Sequence, residues 1–133
     1  MEIPEDVKVW ENTTSIYWLD KDGILCSISK ENSPKVSPEE SEKQVAELLK
    51  RVGEQKLCIL IDAKHAQPSS KEERDQSAKT LNKITKAMAV IVHNPLGRMV
   101  VNLFIGLQKP PYPMKIFKPG DEQKAKVWLK KHL

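Results

Sequence analysis

The strongest constraint on the fold comes from two uninterrupted runs of aliphatic residues in the middle of the chain. Residues 57–61 read Leu-Cys-Ile-Leu-Ile, and residues 87–92 read Ala-Met-Ala-Val-Ile-Val. Runs of this length without polar residues are typical of parallel strands that are covered on both faces of a sheet. A helix-forming segment separates the two runs, so we expect a strand, a helix and a second parallel strand joined by a right-handed crossover.

Three helix starts are visible in the sequence. Ser37 and Ser70 each stand three residues before a glutamate, Glu40 and Glu73 respectively. This spacing is that of a capping box, in which the serine accepts a hydrogen bond from a free amide of the first turn. Asn94 precedes a proline, which fits an N-cap followed by the first helical position. The apolar spacing after these caps predicts helices over residues 38–52, 71–84 and 95–107.

The two ends of the chain complete the pattern. Apolar and polar residues alternate in three short stretches between residues 7 and 30, as in a meander of antiparallel strands. Residues 114–117 are predicted to form a last strand, and residues 121–132 a last helix. The order β-β-β-α-β-α-β-α-β-α predicts an α/β sandwich with a mixed sheet, in which an antiparallel meander precedes parallel strands that alternate with helices. A chain of 133 residues fits one such domain over residues 1–133.

The composition argues against several other classes of protein. No apolar stretch approaches the roughly 20 residues that a bilayer span needs, so we expect no membrane span. Cys26 and Cys58 are the two cysteines, and they lack the spacing of metal ligands. We therefore expect no disulfide framework, no bound metal and a cytoplasmic location. The five glycines are scattered and form no phosphate-binding loop, so no nucleotide cofactor is expected either.

The charge distribution does not favour nucleic acid as a partner. The formal net charge is +4, and most of the basic excess lies in the second half of the chain. The chain has only three arginines, however, and arginine is the side chain that most often makes bidentate hydrogen bonds to bases and phosphates. We interpret the basic residues as solvated helix surface.

The strand at residues 57–62, which leads into a serine-capped helix at Ser69 and Ser70, resembles the STAS-like (SpoIIAA-like) domains of anti-sigma factor antagonists. The second half of the chain is similar to a family of small uncharacterised bacterial STAS-like proteins. The residues that carry this similarity are Pro95, Arg98, Asn102, Phe104, residues 110–113, Lys115, Phe117, Ala125, Trp128 and Leu129. The resemblance implies a SpoIIAA-like sandwich and a regulatory domain that works by protein contact.

The resemblance also implies a switch. In the antagonists, a partner kinase phosphorylates a serine at the start of the helix after the central strand, and this prevents binding. The corresponding positions here are Ser69 and Ser70, although Gln67 and Pro68 precede them and Lys71 follows. The alternative is that Ser70 serves only as a helix cap.

Polar side chains follow both central strands and predict a shared site. Asp62 ends the first strand and Asn94 follows the second, while Ser69 and Ser70 begin the intervening helix. The carboxyl ends of parallel strands meet at one edge, where open α/β sheets bind ligands. Helix N-termini at this edge favour a small anion, and a lipid or another small ligand carried at the edge is the alternative function. Asp62 and His65 have no spacing that enforces a catalytic arrangement, so we assign no catalytic residue and expect no enzyme.

The third helix has apolar residues on two sides. Five residues form the stripe that we expect to face the core, with Met99 on its flank, namely Leu96, Val100, Leu103, Phe104 and Leu107. Val101 and Ile105 lie on the other side, beside Arg98 and Asn102. We predict that these four form an interface for self-association or for another protein, because contiguous exposed apolar patches are uncommon on monomers. The alternative is that residues 108–113 fold over Val101 and Ile105.

Overall fold

Six strands form one mixed sheet in the computed structural model, which describes residues 1–31, 36–65, 67–68 and 70–133. The strands are β1 (Val9–Glu11), β2 (Ser15–Leu19), β3 (Leu25–Ser29), β4 (Leu57–Asp62), β5 (Thr85–Ile91) and β6 (Met114–Phe117). The helices are α1 (Pro38–Val52), α2 (Lys71–Ile84), α3 (Pro95–Gln108) and α4 (Glu122–Lys130). The element order and the α/β class are as the sequence predicts.

The strands lie in the sheet in the same order as in the chain, from β1 at one edge to β6 at the other. The pairs β1–β2 and β2–β3 are antiparallel, and the three pairs from β3 to β6 are parallel. This confirms the antiparallel meander followed by parallel strands. Because each parallel crossover advances in the same direction and has the same hand, the connecting helices fall on one face of the sheet.

Alternate residues of each strand build two separate halves of the core. On one face, side chains from α1, α2 and α3 pack on Leu25, Ile59, Met88 and Val90. On the opposite face, Ala125 and Leu129 of α4 pack over Cys26, Cys58, Leu60, Ala87 and Ala89. The two uninterrupted aliphatic runs are therefore explained, because β4 and β5 are interior strands with apolar cover on both sides.

The predicted caps begin the first three helices. The Ser37 hydroxyl accepts a hydrogen bond from the Glu40 amide at 3.1 Å, and Asn94 Oδ1 accepts one from the Gly97 amide at 2.8 Å. Ser70 forms the full reciprocal capping box with Glu73. These hydrogen bonds satisfy amides that a helix leaves free in its first turn, and they fix where each helix leaves the sheet edge.

The orientation of α3 differs from the prediction. Val101 is buried, at 8% exposure, and Ile105 is partly buried, and both pack on the α1–α3 side of the sheet. Three residues of the stripe expected to face the core, Leu96, Leu103 and Leu107, are instead exposed. Met99, on the flank of that stripe, is exposed as well. Val101 and Ile105 are thus not an interface, whereas Arg98 and Asn102 are exposed as predicted.

A close approach of α3 to the sheet explains this orientation. Gly97 is buried on the same side of the helix as Val101, and a β-carbon added at Gly97 would lie 3.2 Å from the Val92 side chain. The first turn therefore reaches the end of β5 only with glycine facing inward. The helix turns its smaller residues to the sheet, and its larger aliphatic residues consequently face solvent.

Candidate functional site

Two titratable side chains meet where β4 and β5 end. Asp62 is the last residue of β4, and it continues the set of alternate residues that faces α4. Ile91 of β5 pairs with Asp62 across the two strands. His93 lies two residues beyond Ile91, so it belongs to the same face of the sheet as Asp62. Asp62 Oδ1 and His93 Nε2 are 2.7 Å apart. This contact confirms that the turns after Ile61 and Val92 share one edge of the sheet.

The Asp62 carboxylate is buried and has three hydrogen-bond partners. In addition to His93, it accepts hydrogen bonds from the Met1 ammonium group at 2.8 Å and from the Lys64 amide at 3.1 Å. Burial by itself raises the pKa of Asp62, but the hydrogen bonds and charges of the Met1 ammonium group and of His93 outweigh that effect. The net result is a pKa below the ordinary value, so Asp62 is a stable anion at neutral pH.

The contacts of Asp62 with His93 and with the Met1 ammonium group link separate segments of the chain. The Asp62 carboxylate joins the N-terminal segment, β4 and the turn after β5, and Glu122 of α4 lies 4.0 Å from the same ammonium group. Asp62 bonds to His93 rather than to His65, the neighbour in sequence. An aspartate that orients a histidine is a component of acid–base sites, yet here the carboxylate also neutralises a buried cation. The arrangement holds three segments together at the carboxyl edge.

The other residues predicted for this edge act as helix caps, as far as the structure describes them. Ser70 is exposed and its hydroxyl is part of the capping box, while the Asn94 side chain caps α3. Ser69 lies outside the described residues. The Glu73 and Gly97 amides, which an anion would need, already have acceptors within their own helices, and Glu72 adds a further negative charge in the first turn of α2.

Replacing Ser70 by alanine should lower the free energy of unfolding by about 1 kcal/mol, because the Glu73 amide then loses its acceptor. Urea unfolding followed by circular dichroism would measure the loss. Ser77→Ala is the matched control, since Ser77 is exposed in the middle of α2 and alanine favours a helix interior. Equal stabilities for the two variants would contradict a stabilising role of the cap.

The exposed side of α3 forms what we call the α3 ridge, consisting of Leu96, Met99, Leu103 and Leu107. Their exposed fractions are 45%, 49%, 47% and 58%. Positions three or four residues apart lie on one face of a helix, so the four side chains form a continuous line. The spacing of these residues is visible in the sequence. The prediction assigned them to the core because they are more numerous and larger than the apolar residues on the other side of the helix.

A cavity of about 230 Å³ lies between α1, α2 and the sheet. Its floor is apolar and includes Tyr17, Leu25 and Ile59, and its rim includes the polar residues Ser41, Gln44 and Thr80. No residue of α1 is fully buried, so this helix packs loosely over the cavity. Asp62 faces α4 instead, and the cavity is therefore separate from the edge that the sequence suggested for a small ligand.

Comparisons with known proteins agree with the fold. A family model described as a domain of unknown function (DUF7793) matches residues 17–133. The structure is similar to the crystal structure of an uncharacterized protein of the DUF3478 family from Shewanella loihica PV-4, which has a SpoIIAA-like fold. The TM-score is 0.54 with 18% sequence identity, covering 92% of this chain and 91% of the other. Among curated proteins, none matches this sequence significantly.

The fold predicted from the resemblance is thus confirmed as SpoIIAA-like. Within the described ranges, none of the helices has the length and apolar character needed to cross a membrane.

Proposed function

The chain belongs to the DUF7793 family, a family of unknown function, and we propose that it is a non-catalytic protein-interaction domain whose contact surface is the α3 ridge. The observation that carries the proposal is the exposure of four large aliphatic side chains in one line along a well-formed helix. Scattered exposed aliphatic residues are ordinary, but a contiguous line of them marks a contact surface on most soluble proteins.

The composition of α3 supports this assignment. Arg98 is the single charged residue between Pro95 and Gln108, and the helix has no acidic residue. The exposed sides of α1 and α2, in contrast, carry many charged residues, as ordinary solvated helices do. Depletion of charge and enrichment in methionine and large apolar residues are features of interface centres. The resemblance to STAS-like domains, which act by protein contact, supports the same function.

The proposal is tested by placing a photo-crosslinking amino acid at position 103 of the full chain in its native cells. We expect covalent adducts with a defined protein, which mass spectrometry identifies. The matched control carries the same amino acid at position 127, because Val127 is an exposed aliphatic residue of α4 on the other side of the sheet. The same set of adducts from both positions, or none from position 103, would contradict the proposed contact surface.

Control of the contact by a serine remains part of the proposal. Ser70 is exposed and so accessible to a kinase, whereas its hydroxyl must leave the capping box to accept a phosphate. The added charge of about −1.5 to −2 would lie beside Glu72 and Glu73. Ser70→Asp keeps a capping side chain and adds a charge. Unchanged adducts from position 103 in this variant would argue that Ser70 acts as a cap alone.

The cavity under α1 favours a second candidate function, the carriage of a small uncharged ligand. Among the described residues, those that line the cavity are apolar or neutral polar, so they offer no ion pair to a ligand with a charged head group. Native mass spectrometry of freshly isolated protein separates the two functions, because a carrier retains its ligand, whereas an interaction domain shows only the mass of the bare chain or of a whole multiple of it. The buried thiols of Cys26 and Cys58 support a reducing compartment such as the cytoplasm for either function.

A further inference from the structure

We infer, resting on the proposed function, that the partner of the α3 ridge is a second copy of this chain, packed antiparallel through α3 about a two-fold axis. The first argument is the spacing of the ridge. Leu96 and Leu107 lie at its two ends, and Met99 and Leu103 lie between them. Antiparallel pairing brings Leu96 against Leu107 of the second copy and Met99 against Leu103. The midpoint between Leu96 and Leu107 and the midpoint between Met99 and Leu103 coincide to within one residue, so a single two-fold axis serves both pairings.

Such self-complementarity is what a two-fold interface requires. The same surface must fit itself after a half-turn, so each end of the ridge must match the other end. Here leucine meets leucine at both ends, about 16 Å apart along the helix axis. A partner of different sequence would not need this symmetry.

Charge is the second argument. A surface that packs on itself brings identical charges together near the axis, and like charges in a buried contact oppose association. The ridge has no charged side chain, and Arg98 points away from its centre by helical geometry. Antiparallel packing also places the positive end of each helix dipole beside the negative end of the other. The neutrality of the ridge therefore suits a second copy better than a charged peptide or partner.

The shape of the helix permits close packing. Gly106 lies on the same side as Met99 and Leu103, and no atom of the described residues lies within 4 Å of a β-carbon built at this position. The bare backbone there leaves space for a side chain of the opposing helix. Ridges of one helix fit into the grooves of another when such space is present.

The exposed area predicts the strength of the contact. Four large side chains that are about half exposed present on the order of 400 Å² of apolar surface. Stable interfaces bury about 800 Å² on each partner, and the ridge supplies about half of that area. We therefore expect a reversible dimer with a dissociation constant on the order of micromolar rather than a permanent one.

The neighbouring sheet edge is a less suitable contact. β6 is an edge strand of four residues, and Lys115 is exposed at its centre. Pro113 precedes it and Pro119 follows it closely. Short edge strands with prolines and an exposed lysine resist the addition of another strand. The contact is accordingly assigned to α3 and not to strand pairing through β6.

The experiment is light scattering coupled to size-exclusion chromatography of the full chain, from about 1 µM to about 500 µM. We expect the mass to rise with concentration from 15.1 kDa towards twice that value. Leu103→Asp should weaken dimerisation about tenfold or more, since it places two charges near the axis. Val127→Asp, the matched control on α4, should dimerise as the wild type does. An effect of equal size from Val127→Asp would overturn the assignment to the ridge.

Thiol crosslinking tests the antiparallel geometry. The native thiols of Cys26 and Cys58 are buried, and burial raises the pKa of Cys26 to about 12, so introduced cysteines react selectively. An equimolar mixture of Leu96→Cys and Leu107→Cys chains should form a disulfide-linked dimer on mild oxidation, while each variant alone should not. Crosslinking of Leu96→Cys alone, with no disulfide between positions 96 and 107 in the mixture, would establish a parallel arrangement and overturn the inference.

The outcomes also separate this inference from the proposed function. A wild-type chain that stays at 15.1 kDa throughout the range, while position 103 still captures a different protein in cells, overturns the second copy and leaves the contact surface in place. A monomer whose position 103 captures nothing beyond the position 127 control overturns both.

Discussion

Replacing Val101 by aspartate should lower the free energy of unfolding by about 4 kcal/mol or more, which is enough to unfold many domains of this size. Val101 is buried against the sheet, in the same apolar cluster as Val90, Val92 and Tyr112. A carboxylate there would be buried without a partner, and this is among the most destabilising single changes known. Urea unfolding monitored by circular dichroism measures the difference.

The matched change on the other side of the same helix should have almost no effect on the folded monomer. Leu103→Asp places the same charge in solvent, so the free energy of unfolding should change by about 0.5 kcal/mol or less. The comparison must be made near 1 µM, because dimerisation stabilises the wild type at high concentration. An aspartate that is tolerated at 101 and not at 103 would show that α3 has the opposite orientation.

A milder pair of substitutions keeps this test decisive if Val101→Asp yields no soluble protein. Threonine has nearly the shape of valine, but its hydroxyl would be buried at position 101. We expect Val101→Thr to cost about 1–3 kcal/mol. Leu103→Thr should cost about 0.5 kcal/mol or less, apart from its effect on dimerisation. Equal losses for the two threonine variants would also contradict the orientation described for α3.

Asp62→Asn should lower the free energy of unfolding by about 3 kcal/mol at pH 7. The substitution removes the negative charge that balances the Met1 ammonium group, and breaking one side of a buried ion pair leaves the other charge uncompensated. Urea unfolding at pH 7, pH 5 and pH 3 measures the loss. Asp22→Asn is the control, because its carboxylate forms a surface ion pair with Lys130 that contributes about 0–1 kcal/mol.

The pH dependence follows from the lowered pKa of Asp62. The folded protein binds this proton more weakly than the unfolded chain does, so the stabilisation is complete above the ordinary aspartate pKa of about 3.9. It is lost as the pH falls through the lower pKa of the folded state. The difference between wild type and Asp62→Asn should therefore narrow below about pH 4. A difference that stays constant to pH 3 would show that the negative charge is not its source.

The elements of this fold were predictable because their signals are local. Ser70 and Glu73 are three residues apart, so the sequence itself contains the geometry of the cap that begins α2. The same holds for β4, where six residues that are almost all aliphatic already require cover on two faces. The meeting of Asp62 with the residues after β5 was predictable at the level of the sheet edge, since parallel strands align their carboxyl ends.

The parts that escaped prediction depend on distant contacts. The Met1 ammonium group and Asp62 are separated by 61 residues, and no pattern in the sequence links them. The orientation of α3 was predicted wrongly because hydrophobicity alone ranks Leu103 above Val101 as a core residue. The decisive signal was Gly97, whose missing side chain lets the helix approach Val92, but its meaning depends on the position of that strand. The cavity depends on how loosely α1 packs on the sheet, and the periodicity of apolar residues in α1 does not predict this.

The distribution of the helices has a consequence for how the chain folds during synthesis. The layer made by α1, α2 and α3 can form in chain order, because each of these helices connects two strands that are neighbours in the sheet. The other layer must wait for α4, which follows every strand along the chain. Until Ala125 and Leu129 have left the ribosome, the apolar residues that they cover on β4 and β5 stay exposed, so the nascent sheet is most accessible to chaperones after β6 has been made and before α4 docks.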